Sequence, residues 1–381
     1  MKEFNFKNKN IIIILKAFAL GGAEKQALFL ANYLQNKYNC SIHIYSYIKS
    51  NHLELFYKEC ELHKLSNLHI VNNPLSAAGN FNYIKRRIKI MLLGLKLRKH
   101  KPDIIIPYLN PPSIIANLLQ KVSGAKVTFW HHRGPDYYRG DLIESLAVKK
   151  TKLFIANSPD GKKELESKFS INKKKSYFLS NFSTIKTKNS KKSISKLNSI
   201  KGKKIIGMIG HFRQEKLQSI VVNSFYELLK SHKDIHLVLA GNIVESEEEK
   251  STYSEVINFI KEHQLSDKVT LLHNISANEV LPYFDLGVLM SKKEGMPNVI
   301  MEYMSYNLPV ICTNHEGCKS LLGDKYPYLI NNSVDELTEK MQFLLNNEEE
   351  FNSTGLKNKN RIEKNFSIEK YIESLTTIIN S

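Results

Sequence analysis

Short apolar runs alternate with longer stretches of helical spacing along most of this chain, and the alternation stops once, at a lysine-rich interruption, before starting again. Ile11–Leu15 reads as a buried strand, and Glu24–Leu34 follows as a helix with Ala27, Leu30, Ala31 and Leu34 on one face. Ser41–Tyr47 alternates as a strand. Tyr83–Leu97 has the spacing of a helix whose stripe of Ile84, Ile88, Met91, Leu92 and Leu95 is expected to pack on a sheet. Ile104–Ile106, Lys126–Trp130 and Leu153–Ala156 are predicted strands, with helices over Ser113–Val122, Leu142–Lys149 and Gly161–Phe169. Connections of this length suit parallel strands, so the pattern predicts a doubly wound α/β sheet.

The same grammar resumes at Ile205–Ile209. Strands Ile235–Ala240, Val269–Leu272, Leu286–Met290 and Pro309–Thr313 alternate there with helices Ser219–Ser231, Ser251–His263, Ala277–Tyr283 and Asn298–Tyr306. Between the halves, Lys186–Lys204 carries eight lysines and no acidic residue, which reads as an exposed connection that buries little. The predicted division is therefore a first domain over 1–185, a basic linker over 186–204, and a second domain over 205–365. Two such domains facing one another leave a cleft at the carboxyl ends of both sheets, where ligands of these folds bind.

Charge separates the halves too. The net charge of +18 hides 38 basic and 12 acidic side chains in residues 1–204, against 17 and 25 in residues 205–381. A coding bias toward lysine would not leave the second half acidic, so the first half is expected to meet an anionic partner. The longest apolar run in the first 30 residues, Ile11–Leu15, is short and closed by Lys16, so neither a signal peptide nor a membrane span is expected. Cys40, Cys60, Cys312 and Cys318 are too scattered for a disulfide framework or a zinc knuckle, which points to a reduced, cytoplasmic protein.

Three segments carry chemistry. Ser291-Lys-Lys-Glu-Gly-Met-Pro-Asn-Val-Ile-Met-Glu302 sits where a strand gives way to a helix, with Pro297 suited to the first helical turn. A helix start beside Gly295 offers free N–H groups and a positive dipole to a phosphate, and Glu294 and Glu302 can each accept paired hydrogen bonds from hydroxyls. Gly210-His-Phe-Arg-Gln-Glu-Lys216 places cations directly after a strand. Trp130-His-His-Arg-Gly-Pro-Asp136 ends a first-domain strand, and its continuation to Gly140 reads as a mobile loop.

The first of these segments, continued by Tyr303-Met-Ser-Tyr-Asn-Leu-Pro-Val-Ile-Cys-Thr313, resembles the donor-binding signature of glycosyltransferase family 4, retaining enzymes of the GT-B fold. Gly21-Gly22-Ala23-Glu24 is similar to that family's amino-terminal glycine loop. Ala156-Asn-Ser158, Leu179-Ser-Asn181 and Leu237-Val-Leu-Ala-Gly241 follow in the family's order, so the resemblance spans nearly the whole chain. It implies two Rossmann-like domains facing a central cleft, with the last helix, 366–381, packed back on the first domain. It also implies a hexosyltransferase-type enzyme in cell-envelope polysaccharide or glycoconjugate synthesis, drawing on a nucleotide-sugar donor, for which a UDP-sugar fits the loop.

Carried over by residue, Glu294 faces the donor sugar and Glu302 holds the ribose hydroxyls. Gly295, Met296, Pro297 and Asn298 form the loop and helix start around the nucleotide, and Gly21 and Gly22 admit the diphosphate. Arg213 and Lys216 take the leaving diphosphate's charge. The family's usual arginine position holds His211 here, whose role stays open. His131 matches the sugar-contacting histidine, with His132 the alternative. No catalytic metal and no cofactor are implied, and no Asp-x-Asp triplet occurs in the chain.

The acceptor implied is a glycan, often lipid-linked in this family, and the basic residues from Lys85 to Lys101 suit attachment to an anionic bilayer at its cytoplasmic face. Two rivals make different demands. A nucleic-acid binder needs aromatics interleaved with its cations in a known module, and none is visible, so no nucleic-acid partner is expected. A dinucleotide oxidoreductase needs Gly-x-Gly-x-x-Gly, which neither Gly21-Gly22-Ala23-Glu24 nor Gly207-Met-Ile-Gly210 supplies.

Overall fold

Strands and helices alternate in two compact units, one of Met1–Thr184 with Ile368–Ser381, the other of Ile185–Ser367. The computed structural model describes residues 3–19, 21–48, 53–76, 82–132, 138–185, 194–198, 200, 202–243 and 247–381.

In the first unit, β1 (Asn10–Ala17), α1 (Gly22–Tyr38), β2 (Ser41–Ile48), α2 (Leu53–Leu62), β3 (Leu68–Ile70), α3 (Tyr83–Arg98), β4 (Ile104–Pro107), α4 (Asn110–Ser123) and β5 (Val127–Thr128) build a parallel sheet of order β3-β2-β1-β4-β5. β6 (Trp130–His132), α5 (Leu142–Lys150), β7 (Phe154–Ala156), α6 (Pro159–Phe169) and β8 (Ser176–Phe178) add a three-stranded parallel sheet. The strand predicted over Lys126–Trp130 is thus two, parted at Phe129. Successive isoleucines of β1 explain the double winding. Ile11, Ile13 and Leu15 enter one core, with residues of α1 and α2, while Ile12 and Ile14 enter the other, with residues of α3 and α4.

Local signals set the helix ends. Ser158 caps α6 by accepting from the Gly161 N–H at 3.1 Å, with Pro159 opening the first turn. Asp141 does the same for α5 through the Glu144 N–H at 3.0 Å. The last helix of the chain, Ile368–Asn380, belongs to this unit. It buries Tyr371, Ile372, Leu375 and Ile378, and the Tyr371 ring meets that of Phe182 at 4.9 Å.

One expectation is overturned. The α3 stripe of Ile84, Ile88, Met91, Leu92 and Leu95 does not pack on the sheet; it is exposed, Ile84 at 68% and Leu92 at 56%. The buried face is Arg86, Ile90, Leu93, Gly94 and Leu97. A Cβ on Gly94 would lie 3.0 Å from Val122 Cβ of α4, so the small residue sets the closest approach of those helices. Arg86 reaches Asp141 at 3.0 Å from beneath.

The second unit begins with α7 (Ser195–Asn198), then β9 (Lys204–Ile209), α8 (Gln218–Leu228), β10 (Ile235–Ala240), α9 (Glu247–Glu262), β11 (Val269–Leu272), α10 (Ala277–Val280), β12 (Leu286–Leu289), α11 (Asn298–Ser305), β13 (Val310–Thr313), α12 (Glu316–Leu322), β14 (Leu329–Ile330), α13 (Val334–Asn346) and α14 (Glu348–Asn365); the helix Ile368–Asn380 above is α15. Its parallel sheet runs β11-β10-β9-β12-β13-β14. Most of the predicted linker, 186–193 with 199 and 201, lies outside the described residues. Its end does not behave as a solvated connection, because Leu197 and Ile200 are buried in this unit's core.

Candidate functional site

In a doubly wound sheet the carboxyl ends of two neighbouring strands part where the winding reverses. The second unit reverses between β9 and β12, and the two cation- and carboxylate-bearing loops follow those strands. After β9, the backbone of Gly210 and His211 is pressed against the end of β10: a Cβ on Gly241 would sit 1.9 Å from the Gly210 carbonyl oxygen. The chain then makes a 3₁₀ turn over Gln214–Lys216, opened by Arg213. His211 is exposed, and its carbonyl accepts from Gln218 Nε2 at 2.8 Å.

After β12, the loop is held from below. The Ser291 N–H donates to Thr313 Oγ1 at 3.0 Å, and the Ser291 carbonyl accepts from Asn332 Nδ2 at 3.2 Å, with His315 Nε2 at 2.8 Å from it. The Lys292 N–H donates to the Glu215 carbonyl at 2.7 Å, tying this loop to the turn after β9. Glu294 and Lys216 then meet as an ion pair, their side chains 12% and 25% exposed. Both charges remain reachable from solvent, as a ligand site requires.

Met296 and Pro297 are buried, while Gly295 and Asn298 are half-buried. Pro297 is the residue before the helix rather than in its first turn: α11 starts at Asn298, and the Pro297 carbonyl accepts from the Ile300 N–H at 3.1 Å. Proline's missing donor costs nothing there, since N–H groups at a helix start have no intrahelical acceptor. Glu302, one turn farther along, is 7% exposed. Cys312 and Cys318 are buried behind the loop, where burial pushes the Cys312 thiol well up.

The first unit reverses between β1 and β4. Gly21 and Gly22 follow β1, Gly21 directly before α1 and Gly22 as its first residue. Most glycines here are demanded by φ or by packing, as Gly207 is by the Phe284 ring 2.0 Å from its would-be Cβ. Gly21 and Gly210 are not. A Cβ on Gly21 meets only the flexible end of Glu24, and one on Gly210 finds nothing nearer than 3.8 Å.

His131 is brought to the end of β4 from a different sheet. Its Nδ1 accepts the Leu109 N–H at 3.2 Å, so the neutral ring carries its proton on Nε2. The His131 N–H donates to Ser113 Oγ at 2.9 Å, and that hydroxyl donates to the Leu109 carbonyl at 2.8 Å. Leu109 has φ +78°, a left-handed conformation that costs a branched residue on the order of 1–3 kcal/mol. His132 differs. It is fully enclosed, with Nδ1 3.0 Å from Asn110 Oδ1, and burial holds it down at about 4, so it is a neutral packing residue. Arg133–Asp136 and most of the loop to Gly140 lie outside the described residues.

Sequence reasoning missed the supports: Thr313, His315 and Asn332 under Ser291, and Ser113 and Leu109 around His131. Thr313 was quoted only as the end of a motif. The others carry no local pattern, since their roles exist only once distant strands align.

Residues 189–364, nearly all of the second unit, match the family model described as Glycosyl transferases group 1. An uncharacterized glycosyltransferase of Methanocaldococcus jannaschii is 27% identical over 65% of this chain and 62% of its own length. The N-acetylgalactosamine-N,N'-diacetylbacillosaminyl-diphospho-undecaprenol 4-alpha-N-acetylgalactosaminyltransferase of Campylobacter jejuni is 26% identical over 82% of this chain and 83% of its own. Among solved structures, HepE of Anabaena in complex with UDP and glucose superposes with a TM-score of 0.79 at 15% identity, covering 98% of this chain and 100% of that one, which shows the shared GT-B fold. The match over the second unit and the relatives aligned along most of the chain agree on one family, the group 1 glycosyltransferases, as what this chain is similar to.

Proposed function

We propose that the chain is a retaining transferase of family 4 that moves a sugar from a UDP-sugar to a lipid-linked glycan, in cell-envelope polysaccharide or glycoconjugate synthesis. The observation that carries the reading is the switch-point placement: in the second unit the assigned residues follow the two strands between which the winding reverses, and in the first unit Gly21 and Gly22 follow one such strand while His131 is hydrogen-bonded to Leu109, just past the other. In the second unit, Glu294 receives the donor sugar's hydroxyls and Glu302 those of the ribose. Arg213, Lys216 and the N-terminus of α11 take the negative charge that grows on the diphosphate as the sugar–phosphate bond breaks. In the first unit, Gly21 keeps a helix start bare of side chain for the diphosphate, and His131 offers Nε2–H to a sugar hydroxyl. The acceptor hydroxyl attacks from the face the diphosphate leaves, and its proton passes to the departing phosphate oxygen. The Campylobacter relative's acceptor, a diphospho-undecaprenol glycan by its name, supports a lipid-linked acceptor here.

Attachment to the cytoplasmic face of an anionic membrane belongs to the same proposal. Among the described residues no helix is long and apolar enough to cross a bilayer. The exposed stripe of α3 is flanked by Lys85, Arg87, Lys89 and Lys96, and beside it runs a groove of about 280 Å³ floored by Leu118, Val122 and Leu146 and edged by Arg87 and Lys150. Apolar side chains at acyl depth with cations at phosphate level match a headgroup boundary.

The test is a thermal-shift series with UDP, GDP, UDP-sugars, NAD and a DNA oligonucleotide, followed by transfer assays on Glu294→Gln. Stabilisation by a uridine nucleotide and lost transfer in a folded variant are expected. Stabilisation by DNA alone, or normal turnover of the variant, overturns the assignment.

A further inference from the structure

Three histidines far apart in sequence converge on one side of the first unit's sheet. His43 lies on β2 and His69 on the edge strand β3, where Tyr45 pairs with His69, so His43, Tyr45 and His69 face the same way. His100 comes from the turn that follows α3. One ligating nitrogen from each ring lies within 4.8 Å of the other two, and all three residues are half-buried.

His43 Nδ1 and His69 Nε2 are 3.2 Å apart and share a hydrogen bond, which an ion bound between them would replace. Two nitrogens bound to one tetrahedral Zn²⁺ at ~2.0–2.1 Å stand roughly 3.3 Å apart, so this pair already has the spacing of shared ligation. The third ring, tilted 38° to that of His43 with the centroids 3.7 Å apart, must turn to bring its nitrogen to a shared ion. Tyr45 Oη lies 2.9 Å from His100 Nε2, the kind of outer hydrogen bond that fixes a ligating imidazole's orientation.

We propose that His43, His69 and His100 form a binding site for one divalent transition-metal ion, with Zn²⁺ the best match to an all-imidazole donor set and water in the fourth position. Lys96 and Lys99 oppose a dication, but both are exposed and screened by salt. Imidazoles without thiolate or carboxylate suit Zn²⁺, Cu²⁺, Ni²⁺ and Co²⁺ and disfavour Mg²⁺ and Ca²⁺.

The site is a strut. His43 is the third residue of β2, toward its amino end, whereas the ligand loops leave from carboxyl ends. An ion there clamps a three-residue edge strand and the turn after α3 to the interior of the sheet, a linkage independent of the donor assignment.

The experiment uses the full chain stripped with a chelator, then titrated with Zn²⁺ against a chromogenic competitor and with Co²⁺ by absorption. One tight equivalent is expected, with the d–d bands of four-coordinate Co²⁺ and no thiolate charge-transfer band, and a melting temperature that rises with Zn²⁺. His43→Ala and His69→Ala should each weaken binding at least tenfold. Absence of a tight equivalent, a thiolate band, or undiminished binding in the double variant overturns the proposal. Should the variants not fold, the Co²⁺ spectrum of the unmodified chain decides alone.

Discussion

Gly317→Ala tests the donor loop without touching a residue assigned to the chemistry. Gly317 is the second residue of α12, and its would-be Cβ lies 1.7 Å from the Gly295 carbonyl oxygen and 2.7 Å from the Gly295 carbonyl carbon. No rotamer relieves a clash with backbone. Real Cβ contacts essentially never fall below 3.0 Å, so loop and helix must part by about 1.3 Å at the least. Cys318, Leu321 and Leu322 anchor α12 in the core, so the loop is what yields. Overpacking costs about 1–3 kcal/mol, and alanine's better helix propensity returns up to about 1 kcal/mol of it. The fold therefore survives, with a melting temperature lower by a few degrees. Catalysis is less tolerant, since a displacement of about 1 Å at a positioned group costs on the order of 100-fold. kcat/KM should fall by about that factor, while far-UV circular dichroism stays unchanged. Gly355→Ala is the control: its Cβ would lie 2.2 Å from the Asn307 carbonyl oxygen, a comparable clash in another part of the unit, and it should cost stability without a matching loss of rate. If Gly317→Ala keeps kcat/KM within threefold of the parent while its melting temperature falls, the loop carrying Glu294 is not where the sugar is positioned.

Two further outcomes follow from burial. His132 is neutral in the folded chain because burial holds it at about 4, with Asn110, the Tyr138 hydroxyl and Glu164 at 3.9 Å as polar neighbours, whereas unfolded it titrates near 6.5. Its contribution is therefore fully present above pH 6.5 and is lost as pH falls toward 4, by an amount on the order of 3 kcal/mol. His236, held at about 4 chiefly by burial, adds the same sign in the second unit. Melting temperature against pH should drop through this window and flatten in His132→Gln; an unchanged slope refutes the buried neutral state. On α3, Ile88→Glu with Leu92→Glu should leave stability within about 0.5 kcal/mol, both sites being exposed, yet reduce partition onto anionic liposomes by about tenfold or more. Equal partition would reduce the attachment to charge alone.

How much was legible in the sequence depended on whether the deciding contacts were local. Strands such as Ile11–Leu15 are written in consecutive residues and are found where they were expected, and the helix predicted from Gly161 begins two residues earlier, after the Ser158 cap. The parting of Lys126–Trp130 into two strands was not legible, because it depends on the Trp130 N–H finding the Leu153 carbonyl at 2.8 Å, a partner 23 positions away that no local pattern announces. The candidate site divides likewise. Glu294 and Lys216 stand in readable motifs, but their pairing, and the bond from the Lys292 N–H to Glu215 beneath it, require β9 and β12 to be neighbours.

The inverted helix α3 shows why periodicity alone was insufficient there. Ile84, Ile88, Met91, Leu92 and Leu95 make a good apolar stripe, and so do Ile90, Leu93 and Leu97 once Gly94 is counted with them. Hydrophobicity favours the first set, which has more and larger apolar side chains. Packing reverses the order, because Gly94 lets α3 approach α4 closely and Arg86 finds Asp141 on that side. An arginine that is 2% exposed is costly without a partner, so the pairing is a condition for burying this face at all. A helix that meets its core through a glycine and a paired arginine, and turns isoleucine, methionine and leucine outward among lysines, forgoes burial of those side chains within its own unit. The proposed anionic membrane would recover that loss, with the flanking cations setting its charge.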